Sequence, residues 1–363
     1  MKPPAYWTAA ATRLVPLEEP RRVIRYQAAQ APERWQQVIE KDAGLLREVC
    51  GSMKEMLEHH GISIPVRIIA WLAYNLHYAR RGYFIDESNL FAIHGGISKP
   101  LMAFLQRQYT WSHMACTTAS VFDAATNEMV MLRSLDWPGA ETLARATRMH
   151  EFQDAAGRTV FVSAGLTGMV GVLTGVKPRA FSIALNFAHA RRSVRPAADP
   201  TMMIRRLLED PAVDSFGAAK LAISRWDLGA PCFISLCGIA KGEGCVFEFL
   251  PGGANQVREM GDAPYVVQAN HYDGKEDTAA TAQLEGSDTE ARFQATLAQS
   301  SGMRRRQVET RFAEWGSDSR GESVEAAALR VWTEVPVRNY ETTQFVVMRP
   351  STGAMNIWVA AKT

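Results

Sequence analysis

The chain has 363 residues, of which 47% are hydrophobic and 21% charged, and its formal net charge is +2 at pH 7. These values are typical of an ordinary globular chain large enough for one big core or two domains, and nothing in them indicates disorder. A near-neutral charge offers no broad electrostatic footprint for nucleic acid, so we expect no nucleic-acid partner.

The beginning of the chain carries no recognisable targeting signal. The residues that follow Met1 include charged side chains and no continuous apolar core, unlike a secretory signal peptide. The five cysteines are scattered and do not make a disulfide framework, which favours a reducing compartment. Because no apolar stretch reaches transmembrane length either, the sequence predicts a cytoplasmic protein.

The first third of the chain is predicted to be helical. Between Pro32 and His60, apolar residues recur at helical spacing, and Gly61 follows as a helix-ending residue. The apolar positions are Trp35, Val38, Ile39, Leu45, Leu46, Val49, Met53 and Leu57. We therefore interpret residues 1–115 as a helical N-terminal segment.

From Cys116 onward the pattern changes to short strands separated by glycine turns. Cys232–Cys237 and Cys245–Phe249 are two such strands. Helical blocks interrupt the strands around Thr201–Arg225 and around Asp288–Trp315. This pattern by itself predicts an α+β fold for residues 116–363.

A predicted hairpin brings three reactive side chains together. Cys116 opens its first arm, Asp123–Glu128 is a polar, turn-prone run, and the return arm carries Arg133 and Asp136. A hairpin with that turn lays Arg133 and Asp136 close to the start of the first arm. A positive charge there would favour the thiolate form of Cys116.

The chemistry that suits this hairpin is amide hydrolysis by a terminal cysteine. If the bond between Ala115 and Cys116 were cut, the new α-amine could act as the general base for the thiol of its own residue. Asp136 could accept a hydrogen bond from that amine and hold it in place. A papain-like arrangement of Cys116 with His271 and Asn270 is an alternative on residue types, although papain-like cysteines open a helix rather than a strand.

The hairpin resembles the nucleophile hairpin of the acid ceramidase and N-acylethanolamine acid amidase family and, more distantly, that of choloylglycine hydrolases and penicillin V acylases. These are N-terminal-nucleophile hydrolases. The segment Gly165–Asn186 is similar to the family's glycine-rich pocket loop and following strand. The resemblance implies a four-layer α-β-β-α sandwich, residues 116–363, preceded by the helical segment.

The N-terminal segment has two interpretations under this resemblance. It is either a propeptide that is discarded after cleavage or an α-subunit that stays bound to the β-rich part. We expect retention, because its apolar face would be costly to leave in water, at roughly 25 cal/mol per Å².

The resemblance also assigns site residues. Tyr265–Asp273 is similar to the strand end that carries the family's oxyanion-hole asparagine, which here is Asn270. Ser287–Arg292 is similar to a later segment of the family and makes Arg292 a candidate second active-site arginine. The full catalytic set is Cys116, Arg133, Asp136, Asn186, Asn270 and Arg292, with the cleavage site between Ala115 and Cys116.

An apolar slot is expected beside the nucleophile. Trp137 follows the return arm of the hairpin, and Met169, Val170 and Leu173 lie in the glycine-rich loop. We hypothesise that the slot takes an N-acylated small molecule such as a fatty-acyl amide, an N-acylethanolamine or a ceramide-like amide. Transient contact of the amphipathic N-terminal helix with a lipid surface is a further hypothesis.

Three other functions stay open at this point. A bile-salt or penicillin V acylase would use the same machinery, and an acyltransferase would pass the same thioester to an amine instead of water. A relative that binds lipid without cleaving it is the non-enzymatic alternative.

Other motifs in the chain are interpreted as structural. The glycines of Gly165–Gly175 do not match the spacing of a dinucleotide site, and the histidines and cysteines make no zinc motif. We therefore expect no metal and no other cofactor. The basic run Arg304–Arg306 is interpreted as a solvated helix face.

Overall fold

The computed structural model describes residues 12–18, 22–25, 33–59, 68, 71, 83–107, 114–137, 139–188, 198–250, 255–272, 289–317 and 322–362. In these residues two β-sheets are stacked face to face, and helices cover the outer face of each sheet.

The smaller sheet is antiparallel throughout and carries the predicted nucleophile hairpin. Its six strands are β1 (Thr12–Pro16), β3 (Ala115–Asp123), β4 (Glu128–Asp136), β12 (Tyr265–Gln268), β13 (Thr342–Arg349) and β14 (Ala354–Lys362). They lie in the order β1-β14-β13-β4-β3-β12. Strands β3 and β4 pair along their whole length around the turn at 124–127, so the predicted hairpin is confirmed.

The larger sheet has eight strands. They are β2 (Arg22–Arg25), β5 (Thr147–Gln153), β6 (Thr159–Leu166), β7 (Thr174–Lys177), β8 (Phe181–Phe187), β9 (Cys232–Cys237), β10 (Gly244–Phe249) and β11 (Asn255–Glu259). Their order is β11-β10-β9-β8-β7-β6-β5-β2, with β2 and β5 as its parallel pair. The two strands predicted near residues 232 and 245 are confirmed as β9 and β10.

Eight α-helices occur in the described residues. They are α1 (Gln36–His59), α2 (Ile85–Gly95), α3 (Lys99–Leu105), α4 (Ala140–Ala146), α5 (Pro200–Glu209), α6 (Phe216–Ile223), α7 (Thr289–Ser317) and α8 (Val324–Thr333). Helix α5 begins where it does because the Asp199 side chain accepts hydrogen bonds from the amides of Thr201 and Met202, while Pro200 occupies the first turn. None of the helices in the described ranges combines the length and apolar character needed to cross a bilayer.

Three hydrophobic clusters define the layers. One joins Trp35 and Phe91 of the N-terminal segment to the larger sheet, through residues such as Phe161. A second fills the space between the sheets, and a third packs Phe312 and Trp332 of α7 and α8 on the smaller sheet. Because a strand alternates its side chains between two faces, a central strand such as β9 contributes to two of these clusters. The predicted four-layer α-β-β-α sandwich is therefore confirmed.

The N-terminal segment contributes strands as well as helices. The predicted helix is present as α1, after a single 3-10 turn over Glu33–Trp35. The sequence did not predict β1, which pairs with β14, or β2, which pairs with β5. Strands of five and four residues at sheet edges are too short to give a clear alternation in the sequence. A purely helical description of residues 1–115 is therefore incomplete, and the boundary before Cys116 stays a prediction.

Candidate active site

The hairpin of β3 and β4, predicted to carry the nucleophile, sets the geometry of the site. The register pairs Ala115 with Asp136, Cys116 with Leu135 and Thr118 with Arg133. Side chains two residues apart on one strand share a face, so Cys116 and Arg133 point toward the larger sheet while Asp136 points toward α7 and α8. The hairpin thus brings the three predicted residues together but divides them between two faces.

The thiol of Cys116 is buried and faces a guanidinium. Nη2 of Arg133 lies 3.4 Å from Sγ and also donates to the carbonyl of Leu185 at 3.0 Å. Burial raises the pKa of Cys116, and the charge of Arg133 together with a hydrogen bond from the Phe187 backbone opposes that shift. Burial therefore favours the neutral thiol, and Arg133 is in place to stabilise a thiolate.

The backbone of Cys116 is fixed by two side chains from other elements. Its N–H donates to Oδ1 of Asn270 at 2.9 Å, and its carbonyl accepts from Nη1 of Arg304 at 2.5 Å. Asn270 is itself oriented, because its Nδ2 donates to the carbonyl of Phe187 at 2.7 Å and its backbone N–H donates to Ser301 Oγ at 2.7 Å. The structure thus places the predicted Asn270 in contact with Cys116, and its oxyanion role stays a prediction.

Arg304 lies at the site, although the sequence predicts a solvated helix face there. It is fully buried, and besides the carbonyl of Cys116 it donates to Thr117 Oγ1 at 2.8 Å and to Asn270 Oδ1 at 2.7 Å. The solvated-face interpretation is wrong for this residue, although its neighbour Arg306 is exposed. The helical repeat carried the missed signal, since Val308 and Phe312 follow Arg304 at four-residue steps on the buried face.

Arg292 lies near the beginning of α7, twelve residues before Arg304 in the same helix. Its side chain is outside the described residues, and its catalytic role stays a prediction. Within the part of α7 whose side chains are described, Arg304 is the arginine that contacts Cys116.

Asp136 lies on the helix-facing side of the hairpin. It is fully buried, and its Oδ1 accepts a hydrogen bond from Thr342 Oγ1 at 2.8 Å. Burial raises its pKa, and Arg304 is the largest influence in the other direction. In the uncut chain the amide of Cys116 bonds to Asn270, so a bond from a free α-amine to Asp136 stays a prediction.

Asn186 acts on the site through its neighbours. Its Oδ1 accepts from Thr118 Oγ1 at 2.7 Å, and its Nδ2 lies 3.0 and 3.1 Å from the carbonyls of Gln268 and Ala269. It therefore ties β8 to β3 and to the chain that leads into Asn270. Its predicted catalytic role is untested.

A largely apolar cavity of about 40 Å³ lies next to Trp137, the residue that follows the return arm of the hairpin. Its walls come from α1, α3 and the loop after β6, and they include the predicted residues Trp137 and Met169. The other two predicted slot residues, Val170 and Leu173, are buried in the adjacent core. Gly168 has a φ of +88°, and a Cβ there would lie 2.7 Å from Leu46 Cδ1, so only glycine fits this loop against α1.

One polar side chain of the N-terminal segment holds the cavity loop. Nε2 of Gln106 donates to the carbonyl of Gly168 at 2.6 Å, and its Oε1 accepts from the amide of Val170 at 2.8 Å. Both ends of this buried amide are thus satisfied. Elsewhere, no group of three or more His, Cys, Asp or Glu in the described ranges is arranged to hold a metal ion.

Sequence comparison finds similarity to acid ceramidases. The acid ceramidase of Balaenoptera acutorostrata scammoni is 31% identical over 149 residues, which are 37% of this chain and 37% of that protein. The acid ceramidase of Macaca fascicularis is 26% identical over 271 residues, 66% of each chain. The chain thus spans little more than a third of the first relative's length, and no protein-family model matches it.

A solved structure shares the fold. The Caenorhabditis elegans N-acylethanolamine-hydrolyzing acid amidase (NAAA) ortholog superposes with a TM-score of 0.51 at 24% identity, covering 65% of this chain and 93% of that chain. The sandwich, the nucleophile hairpin and the acid ceramidase relatives agree with one another. The chain is similar in sequence to acid ceramidases over part of their length and shares the fold of this amidase ortholog.

Proposed function

We propose that the protein is a self-processing cysteine amidase that hydrolyses the linear amide bond of an N-acylated small molecule through a thioester on Cys116. The observation that carries this proposal is a pair of contacts that hold both the backbone and the sulfur of Cys116. The amide nitrogen of Cys116 lies 2.9 Å from Asn270 Oδ1, and its sulfur lies 3.4 Å from Arg133 Nη2.

Maturation begins with Sγ of Cys116 attacking the carbonyl carbon of Ala115. The C–N bond between the two residues breaks, the nitrogen takes a proton and becomes the α-amine, and the Ala115 acyl group is held as a thioester on the sulfur. Water then hydrolyses that thioester, which releases a carboxylate at Ala115 and the free thiol. Burial of both residues in a continuous β3 supports a reaction that needs no outside protease.

In turnover the α-amine of Cys116 takes the proton of its own thiol, since such an amine titrates at about 7.7 to 8.0. The thiolate attacks the carbonyl carbon of the substrate, and the leaving amine takes the proton back. Arg133 stabilises the thiolate, and Asn270 stays beside the new amine. Water completes the cycle by hydrolysing the acyl-thioester.

The N-terminal segment is proposed to stay bound after cleavage. It supplies an edge strand to each sheet through β1 and β2, so its release would expose both edges. Two buried ion pairs also cross the proposed cut. Asp42 pairs with Arg148 at 3.2 Å, and Glu87 accepts from Nη2 of Arg205 at 3.0 Å.

The cavity next to Trp137 supports an apolar acyl group as the ligand, because its lining is mostly aliphatic and aromatic. Its walls come from both sides of the proposed cut, with α1 and α3 before it and Trp137 and Met169 after it. Retention of the N-terminal segment is therefore also a requirement for a closed acyl slot.

The test is a comparison of two cysteine variants. Cys116→Ala should remain a single chain and lose all hydrolysis of N-acyl amides, whereas Cys245→Ala, a buried cysteine of β10, should be cleaved and active like the parent. Intact mass and a fluorogenic fatty-acyl amide give the two readouts. Parental turnover by the Cys116→Ala variant would overturn the mechanism.

A further inference from the structure

Ser301 of α7 contacts two successive residues of the segment that leads away from β12. Its Oγ accepts a hydrogen bond from the backbone N–H of Asn270 at 2.7 Å and lies 2.7 Å from Nδ1 of His271. Ser301 is fully buried, whereas His271 is partly buried. We call Ser301 and His271 the serine–histidine pair.

The same face of α7 holds Asn270 at a second point. Ser301 and Arg304 are three residues apart in the helix, so they are neighbours on one face, and both are fully buried. Ser301 bonds the backbone of Asn270, while Nη2 of Arg304 donates to its Oδ1 at 2.7 Å. That oxygen also accepts from the N–H of Cys116 at 2.9 Å. One turn of α7 therefore fixes both the backbone and the side chain of the residue that contacts the nitrogen of Cys116.

The partners of Ser301 determine where its hydroxyl hydrogen points. Among the described residues, Oγ has the two partners Asn270 and His271. The backbone N–H of Asn270 can only donate, so Nδ1 of His271 is the atom that can accept the hydroxyl hydrogen. This requires a neutral imidazole with its own hydrogen on Nε2. With the hydrogen on Nδ1 instead, the buried hydroxyl would have no acceptor among these partners, which is unfavourable.

The contact with Ser301 also changes the interpretation of His271. On residue types alone, His271 and Asn270 could form a papain-like site with Cys116. In the structure, Nδ1 of His271 lies against Ser301, and the nitrogen that lies against the sulfur of Cys116 belongs to Arg133. These contacts favour an action of the histidine on Asn270, through Ser301, over an action on the thiol.

We propose that Ser301 and His271 are positioning residues for Asn270. This proposal rests on the proposed amidase function and adds two residues to it. Ser301 anchors the backbone of Asn270, and His271 accepts the Ser301 hydroxyl hydrogen, which leaves a lone pair of Oγ directed at the Asn270 N–H. Neither residue touches the reacting atoms, so its loss should slow the chemical step and leave substrate binding nearly unchanged.

Serine variants test the anchor. Ser301→Ala should lower kcat for a fluorogenic fatty-acyl amide by about tenfold to 10²-fold with little change in KM, because Asn270 loses the bond that fixes its backbone. Ser301→Thr keeps the hydroxyl and should recover most of that loss. Ser300→Ala is the matched control and should behave like the parent, since Ser300 is also buried but its Oγ has no hydrogen-bond partner among the described residues.

Histidine variants separate a positioning role from that of a general base. His271→Asn keeps an acceptor close to the position of Nδ1 and should retain kcat within about twofold, whereas His271→Leu removes the acceptor and should lower kcat about tenfold. Because His271 is partly exposed, we expect both variants to fold. Nearly complete loss of activity in both would overturn the proposal, since the imidazole would then be the base itself.

Nuclear magnetic resonance tests the pair without any turnover. In Cys116→Ala with isotope-labelled histidine, the ring of His271 should carry its hydrogen on Nε2 at about pH 8, where histidine is ordinarily neutral. Adding Ser301→Ala should shift the Nδ1 resonance, which is assigned by its absence in His271→Asn. A ring hydrogen on Nδ1 would overturn the proposal.

The outcomes distinguish the positioning role from the amidase function. Absence of hydrolysis by the parent for every N-acyl amide would overturn the amidase function. An active parent whose kcat is unchanged in Ser301→Ala and in His271→Leu would overturn the positioning role alone.

Discussion

Two buried arginines approach Cys116 from opposite faces of the smaller sheet, and they differ in how fully they are bonded. Arg304 comes from α7 and bonds the carbonyl of Cys116, the hydroxyl of Thr117 and the amide oxygen of Asn270, all through its Nη atoms. Arg133 comes from β4 and uses only Nη2, toward the sulfur of Cys116 and one carbonyl.

This difference indicates separate roles for the two arginines. Arg304 bonds the backbone and the neighbours of Cys116, so it holds that residue in position. Arg133 faces the sulfur of Cys116 and has two unpaired donors, Nε and Nη1, whereas Arg304 has one, its Nε, among the described residues. Substitutions of the two arginines should therefore have different effects on stability and turnover.

The largest effect is expected from Arg304→Met. It leaves Asn270 and the carbonyl of Cys116 without their donor and leaves Asp136 without its main counter-charge, a loss of about 3–5 kcal/mol in the free energy of unfolding. The unfolding temperature and the cleaved fraction should both fall. Arg306→Met, in the same basic run but exposed, is the control and should match the parent. Parental stability and cleavage in Arg304→Met would contradict the positioning role.

A smaller and different effect is expected from Arg133→Met. The fold should persist, while turnover falls about 10²-fold because the thiolate loses its stabilising charge. The acid limb of the kcat/KM profile should shift to higher pH, since removing the cation raises the pKa of the thiol further. Arg133→Lys should keep the position of that limb. If the pH profiles of kcat/KM were identical in the parent and in Arg133→Met, the charge of Arg133 would have no role in stabilising the thiolate.

The smallest effect concerns Glu341, on the Arg304 side of the sheet. Burial raises its pKa to about 7 from an ordinary 4.5, and the charge of Asp136 adds to the shift. A carboxyl with a raised pKa in the folded state contributes stability that is present below about pH 4.5 and is lost as pH rises through about 7.

Glu341→Gln should therefore unfold at a higher temperature than the parent at pH 8, by an amount that corresponds to at most about 3 kcal/mol. The difference should shrink as pH falls toward 5. Thermal melts of both proteins across this range provide the measurement, with the exposed Glu314→Gln as control. A pH-independent difference would show that Glu341 is not buried in its charged form.

Local patterns were enough to predict one of the two arginines. Arg133 and Cys116 belong to one hairpin, whose alternating arms and polar turn can be identified in the sequence, and so its register follows. The contact between Arg304 and Cys116 spans 188 positions of the chain. No local pattern fixes how α7 docks on β3, and a run of three arginines is typical of exposed helix faces.

The layers of the fold were predictable for a related reason. Strands such as β9 and helices such as α1 are long enough to show their periodicity, and the family resemblance supplied their arrangement. The edge strands β1 and β2 were missed because their stability comes from pairing partners that lie more than a hundred residues away.

The central claim is that the active form has been cut between Ala115 and Cys116. Purified protein that hydrolyses an N-acyl amide should give two masses, and the larger fragment should begin with Cys116 when sequenced from its amino end. It should also carry the acyl group on that cysteine when the reaction is stopped by acid. Full activity in material of a single, unbroken mass would contradict the account.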